Sequence, residues 1–195
     1  MVTESGENVY GRYLIRTFSS GSKVSVRAFT GARSVAFAEA KSMDEALAAI
    51  GNLLDGRDGQ ERAARQEGIP TAREFADAFA RLGKKVGSHH WLMLRALHGA
   101  KNRTMTATEL TASAGNATFR IGNRKLVKLG RMLSEDLEFD PRLRPDGLPS
   151  WISTLATGSD MNGRENDGDW RWTMRPQVAD CLVMMNLGQP ATKPS

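Results

Sequence analysis

The sequence has a single cysteine, Cys181, among its 195 residues. One cysteine excludes an internal disulfide and is typical of a reducing compartment, so we expect a cytoplasmic location. No stretch approaches the roughly 20 apolar residues of a membrane-spanning helix. Residues 1–8 also lack the basic and then apolar pattern of a secretory signal. Cys181 lies among Val178, Leu182 and Met185, which predicts that it is a small buried core residue.

Side chains suited to catalysis are also scarce. The only histidines are His89, His90 and His98, and no cysteine or carboxylate pair accompanies them at the spacing of a metal site. The sequence contains no nucleophile elbow, phosphate-binding glycine loop or dinucleotide fingerprint. We therefore predict a protein that is not an enzyme, with no catalytic residues, no metal and no cofactor. The histidines are expected to serve helix starts or packing.

Positive charge is concentrated in one part of the chain. The net charge is +5, but residues 81–145 alone hold thirteen lysines and arginines against five acidic residues. Residues 1–60, in contrast, hold seven of each. Such a local excess is typical of a surface that binds a polyanion such as nucleic acid. The alternative is an ordinary solvated face, because charged runs usually lie at the surface without a partner.

Residues 1–55 are predicted to form a small β-β-β-α unit. Residues 1–8 are polar and are expected to be frayed. Aromatic and branched residues then indicate three strands, residues 10–18, 23–29 and 33–39. Ser42 with Glu45 three residues later forms a capping-box pattern, which predicts a helix running to about residue 54.

This unit is loosely similar in topology to the arm-type DNA-binding domains of tyrosine recombinases, without shared motif residues. Its balanced charge favours instead a structural, dimerising or protein-binding role, with sheet edges available for pairing with another chain. Residues 56–70 are polar and contain three glycines and a proline. We predict a linker there, in which residues 59–66 are compatible with a helix.

Residues 71–188 are predicted to form a second, mainly helical domain, with a disordered tail at residues 189–195. Thr71 and Ser88 begin two helices that end near residues 82 and 98. Further along come a strand, a long loop, a second strand and a helix, residues 151–157, 158–169, 170–174 and 177–187. The loop carries four acidic residues against one arginine, so it is not expected to press on phosphates. The last helix is a candidate surface for a homodimer.

Residues 104–133 form the central motif of this domain. Thr106 and Glu109 make a capping-box pattern at the start of a helix, and Gly115-Asn116 indicates a tight exit from it. A second helix restarts at residue 117 or 118. Phe119, Leu126 and Leu129 form its buried side, which leaves its basic residues mainly outside.

The segment Leu110-Thr111-Ala112-Ser113-Ala114-Gly115 resembles the Leu-Ala-x-x-x-Gly first helix and turn of helix-turn-helix DNA-binding domains. Thr111 stands where that family usually has alanine. The helix that precedes the pair and the hairpin that follows it resemble the order of a winged helix-turn-helix domain. The resemblance implies that the second helix enters the DNA major groove. The residues expected to contact nucleic acid are Lys101, Arg103, Asn116, Thr118, Arg120, Asn123, Arg124, Lys125, Lys128 and Arg131.

The sequence therefore predicts an α+β protein, in which a small three-stranded sheet with one helix precedes a winged helix-turn-helix domain with a β-hairpin wing. We expect a double-stranded DNA-binding protein, most simply a transcriptional regulator. The alternative is a protein-interaction factor, such as an inhibitor or adaptor of a nucleic-acid enzyme of phage or mobile-element type. Its protein partner would bind the N-terminal sheet or the acidic wing tip.

Overall fold

The computed structural model describes residues 3–20, 22–116, 118–159 and 170–187. The chain is α+β and divides into two compact units, Met1–Gly68 and Ile69–Ser195. Each unit has a hydrophobic core of its own. None of the helices described is long and apolar enough to cross a membrane.

The first unit is a four-stranded antiparallel sheet with one helix packed on it. Its strands pair in chain order, and they are β1 (Thr3–Tyr10), β2 (Tyr13–Ser20), β3 (Lys23–Thr30) and β4 (Arg33–Ala40). The helix α1 (Met43–Ala63) begins at Ser42, whose side chain accepts a hydrogen bond from the Glu45 N–H. Alternate strand residues such as Ile15 and Val26 point under the helix and meet Ile50 and Leu54, and all four are fully or almost fully buried.

The sheet has four strands rather than the predicted three, because residues 3–10 form β1 instead of a frayed end. Gly11, with φ at +54°, provides the tight turn that joins β1 to β2. β1 is an edge strand, and its Val9 is 76% exposed. An edge strand of this kind buries few side chains, so the hydrophobic alternation that identifies an inner strand is missing.

Helix α1 is also longer than predicted and takes in residues 56–63 of the predicted linker. Ion pairs and a hydrogen bond, rather than apolar contacts, join the polar second half of α1 to the start of β2. Arg12, in the β1–β2 turn, forms ion pairs with Asp58 at 2.7 Å and Glu61 at 3.1 Å. Tyr13 donates a short hydrogen bond to the same Asp58 carboxylate. These contacts join residues far apart in sequence, so they could not be inferred from the local pattern.

Among the residues that the structure describes, the second unit has five α-helices and a small three-stranded sheet. Its helices are α2 (Ala72–Leu82), α3 (Ser88–Gly99), α4 (Ala107–Ala112), α5 (Phe119–Leu137) and α6 (Pro176–Met184). Its strands are β5 (Thr104–Thr106), β6 (Ala156–Ser159) and β7 (Arg171–Met174), in the spatial order β5-β7-β6 with both pairs antiparallel.

The core of the second unit lies between the helices and this sheet. Phe75 of α2, Leu110 of α4, and Leu129 and Leu133 of α5 are all almost completely buried. Cys181 is fully buried among them, which confirms the predicted packing role. Burial raises the pKa of its thiol to about 12. α6 keeps Val183 and Met184 more than half exposed, and dimerisation through this helix stays a prediction.

The small sheet of the second unit differs from the prediction. The strand β5 was not predicted, and residues 151–157 are not one strand but a 3-10 turn (Trp151–Thr154) followed by β6. The tip of the predicted wing, residues 160–169, and the predicted disordered tail, residues 189–195, lie outside the described residues. The capping boxes predicted at Thr71 with Glu74 and at Thr106 with Glu109 are both present.

Candidate nucleic-acid interface

The helix α4 and the turn after it are fixed by local hydrogen bonds. The Thr106 hydroxyl accepts from the Glu109 N–H at 3.1 Å, and the Glu109 carboxylate accepts from the Thr106 N–H at 2.8 Å. These bonds lower the pKa of Glu109, with the backbone bond as the larger cause. α4 ends at Ala112, and in the turn that follows Gly115 takes the left-handed conformation, with φ at +67°.

The turn is held to α5 by the side chain of Asn116. Its Nδ2 donates to the Thr111 carbonyl at 3.2 Å, while its Oδ1 accepts from Lys125 Nζ at 2.7 Å. Asn116 and Lys125 were both predicted to contact nucleic acid. The structure places them against each other, so they hold the turn at the start of α5. Their contact with nucleic acid stays a prediction.

α4 and α5 pack closely because α5 has a glycine where they cross. A Cβ built on Gly122 would lie 2.6 Å from Cγ2 of Thr111, so no larger residue fits without movement of α4. Thr111 is buried and its hydroxyl lies 3.4 Å from the Phe119 carbonyl oxygen, to which it donates. Thr111, which stands where helix-turn-helix domains usually have alanine, thus packs against Gly122 of α5.

Histidine side chains brace the same region from α3. His89 donates from Nδ1 to the Ala114 carbonyl oxygen, 2.9 Å away, and so joins α3 to the turn. His90 accepts a hydrogen bond from the Gly87 N–H at 3.1 Å at the start of α3. Burial lowers the pKa of His90, and the nearby charges of Lys125 and Lys128 act in the same direction. The predicted role at a helix start is therefore seen for His90.

The outer side of α5 presents a row of cations, Arg120, Arg124 and Lys128. They are four residues apart, which puts them on one side of the helix, and all three are exposed. Within the part of the chain that the structure describes, none of them forms an ion pair or a side-chain hydrogen bond. The opposite side of α5, with Leu126, Leu129 and Leu133, is buried.

Other predicted contact residues are placed differently. Arg131 is exposed but pairs with Glu135 at 2.7 Å and lies over the Trp151 ring at 5.8 Å. Thr118 is the exposed N-cap residue of α5. Asn123 is half-buried, and its Oδ1 has no hydrogen-bond partner among the described residues. Lys101 and Arg103 lie in the 3-10 turn (Lys101–Arg103) that leads into β5. This turn precedes α5 in the sequence, so the two residues are not part of the row of cations on α5.

The acidic residues at the end of α5 do not neutralise the row. Asp136 is bound to Arg81 of α2, with three contacts of 2.5 to 3.1 Å, and Glu135 is bound to Arg131. Arg120, Arg124 and Lys128 therefore keep their charge available to an external anion. We name these three residues the α5 cationic row.

A second candidate surface lies on the first unit, on the sheet face away from α1. Strand register puts Arg16, Arg27 and Phe37 side by side on this face. Arg16 lies over the Phe29 ring at 5.3 Å, and Arg27 over the Phe37 ring at 5.5 Å. Phe37 is 50% exposed. Exposed aromatic rings with arginines are enriched at protein interfaces.

Compared with protein-family models, with curated proteins and with solved structures, the chain has no significant match.

Proposed function

We propose that the second unit is a winged helix-turn-helix module that binds double-stranded DNA through α5. The order α3, β5, α4, α5, β6 and β7, with the sheet order β5-β7-β6, supports this assignment. In such a module β6 and β7 are the strands of the wing, and α5 is the helix that enters the major groove. A transcriptional regulator is the simplest biological role for it.

The observation that carries the proposal is the α5 cationic row. Its three exposed cations follow a tight turn at the front of a 19-residue helix. Their side chains lack internal acidic partners in the described chain, so binding to phosphates does not require an internal ion pair to break. Arginine can also bind a guanine edge with two hydrogen bonds. We propose that Thr118 and Asn123, near the row in sequence, add polar contacts to the DNA.

Affinity of this kind is expected to depend strongly on salt. Each neutralised phosphate releases counterions and adds about 0.9 to the slope of log affinity against log salt. With about four phosphate contacts, affinity for a duplex should fall on the order of 100-fold between about 50 and 200 mM potassium chloride. Fluorescence anisotropy with a labelled random duplex measures this directly. Affinity that changes less than about threefold over that range would contradict the proposal.

The sheet face of the first unit favours a second candidate function, a protein-interaction factor. Arg27 and the half-exposed Phe37 present an aromatic and cationic pair to solvent. Phenylalanine and arginine are both enriched at the centres of protein interfaces. The same titration separates the two functions, because a protein that acts only through this face should not bind the duplex even at low salt. A winged-helix arrangement alone does not decide between them, since one fold serves several functions.

A further inference from the structure

The second unit contains a cavity of about 250 Å³ beside the wing strands, between β6–β7 and the loop of residues 142–150. This cavity is separate from the α5 cationic row. Its polar wall is built from three arginines and three hydroxyl residues, namely Arg142, Arg144, Arg175, Ser150, Ser153 and Thr157. Its apolar wall includes Leu143, Trp170 and Trp172.

The residues that the structure describes along the cavity wall carry positive charge. None of the described residues that line it is acidic. Arg144 is paired with Asp146 at 2.6 Å, but Arg142 and Arg175 have no acidic partner in the part of the chain that the structure describes. The Arg175 Nε donates to the Ser153 carbonyl at 2.6 Å, which holds the guanidinium in place. Burial lowers the pKa of Arg175, and an anion in the cavity would offset this desolvation.

The apolar wall suits a flat group. The rings of Trp170 and Trp172 lie 5.8 Å apart, centroid to centroid, and are tilted to each other. The Trp170 Nε1 is buried and has no hydrogen-bond partner among the described residues.

The loop that closes the cavity is held in one shape by its own hydrogen bonds. The Arg144 N–H donates to the Leu148 carbonyl at 2.8 Å, and the Ser150 N–H donates to the Arg142 carbonyl at 2.8 Å. The Arg142 N–H in turn donates to Ser153 Oγ at 3.0 Å. A preformed cavity of this kind loses little conformational entropy on binding.

We propose that this cavity binds a small organic anion, with a carboxylate or phosphate group on Arg142 and Arg175 and a flat apolar body against the tryptophans. The volume suits a molecule of about ten non-hydrogen atoms, which at typical efficiencies per atom binds with a Kd of about 1 mM or below. The inference rests on the cavity alone and does not require the proposed DNA binding.

Isothermal titration calorimetry of the full chain with phenyl phosphate and benzoate tests this, with phenol and benzamide as their neutral counterparts. We expect at least one anion to bind with a Kd of about 1 mM or below and at least tenfold more tightly than its neutral counterpart. Arg175→Gln and Arg142→Gln should each weaken that binding about tenfold, the cost of losing one charged hydrogen bond. Arg73→Gln removes an exposed arginine of α2 away from the cavity and should change nothing.

No measurable binding of either anion at about 10 mM, or equal binding of the neutral counterparts, would overturn the proposal. Because Arg142 is exposed, its variant remains informative even where Arg175→Gln lowers the melting temperature. A cavity that only holds a DNA phosphate would give a different pattern. Both arginine variants would then weaken duplex binding while neither small anion bound, and that result would also overturn the proposal.

Discussion

Replacing Arg124 and Lys128 together by alanine is expected to weaken duplex DNA binding by about 30-fold at moderate salt. One base-edge or phosphate contact is worth about 1 kcal/mol, and 1.4 kcal/mol corresponds to a factor of ten. The slope of log affinity against log salt should also fall by about two, since two phosphate contacts are removed. Both side chains are exposed and lack internal partners in the described chain, so the melting temperature should change by only a few degrees.

The matched control is the double variant Arg73→Ala with Lys84→Ala. It removes the same charge from the same unit at two exposed positions, one in α2 and one directly after it. A general effect of net charge would weaken DNA binding equally in both double variants. Mobility-shift titrations at two salt concentrations separate the two cases. If the wild type and the Arg124 and Lys128 double variant bound DNA with equal affinity, the α5 cationic row would not be the DNA-binding surface.

Gly130→Ala is expected to destabilise the second unit by about 3 kcal/mol, the upper part of the range for overpacking a core. A Cβ on Gly130 would overlap the Trp151 carbonyl oxygen and lie 2.7 Å from its carbon. These are backbone atoms of the 3-10 turn that packs against α5, so a side-chain rotation cannot relieve the overlap. For a unit of this size the melting temperature should fall by roughly 10 °C.

Gly99→Ala serves as the comparison for thermal unfolding. Gly99 ends α3, and a Cβ there would meet nothing within 4 Å. Alanine should be neutral or slightly stabilising at that position, because it restricts the unfolded chain. Circular dichroism melts of the two variants give the measurement. A fall of less than about 3 °C for Gly130→Ala would show that the turn does not press on α5 as described.

Local signals predicted the central motif well. A capping box and a left-handed glycine each act over a few residues, so Thr106, Glu109 and Gly115 could be interpreted without the rest of the chain. The period of α5 similarly separated its buried leucines from its exposed cations. The boundaries of α2 follow from the same kind of evidence at Thr71 and Glu74.

Structure that depends on distant partners was missed. β5 is only three residues long and exists because it pairs with β7, nearly seventy residues later. Residues 151–154 carry branched and aromatic side chains, yet they form a 3-10 turn that packs against α5 at Gly130. β1 was missed for a different reason. It is an edge strand with exposed residues, so its sequence lacks the apolar pattern that identifies an inner strand.

In the candidate site, too, some features could be predicted from local sequence and others depend on the fold. The exposure of Arg120, Arg124 and Lys128 followed from helical spacing alone. The engagement of Lys125 by Asn116 did not, because it depends on how the turn folds back on α5. The pair of Arg131 and Glu135 could have been recognised, since residues four apart on a helix are neighbours. Arg142 and Arg175, which both line the cavity beside β6 and β7, are 33 positions apart in sequence, and only the fold brings them together.

Site-specific photo-crosslinking tests whether α5 enters the groove of a bound DNA duplex. A benzophenone amino acid placed at position 124, in the cationic row, should crosslink to a bound duplex on illumination. The same group at position 73, an exposed site on α2, should crosslink little or not at all. Strong and selective crosslinking at position 124 is the result that we predict. No crosslink at position 124, or equal yields at both positions, would show that α5 does not enter the DNA groove.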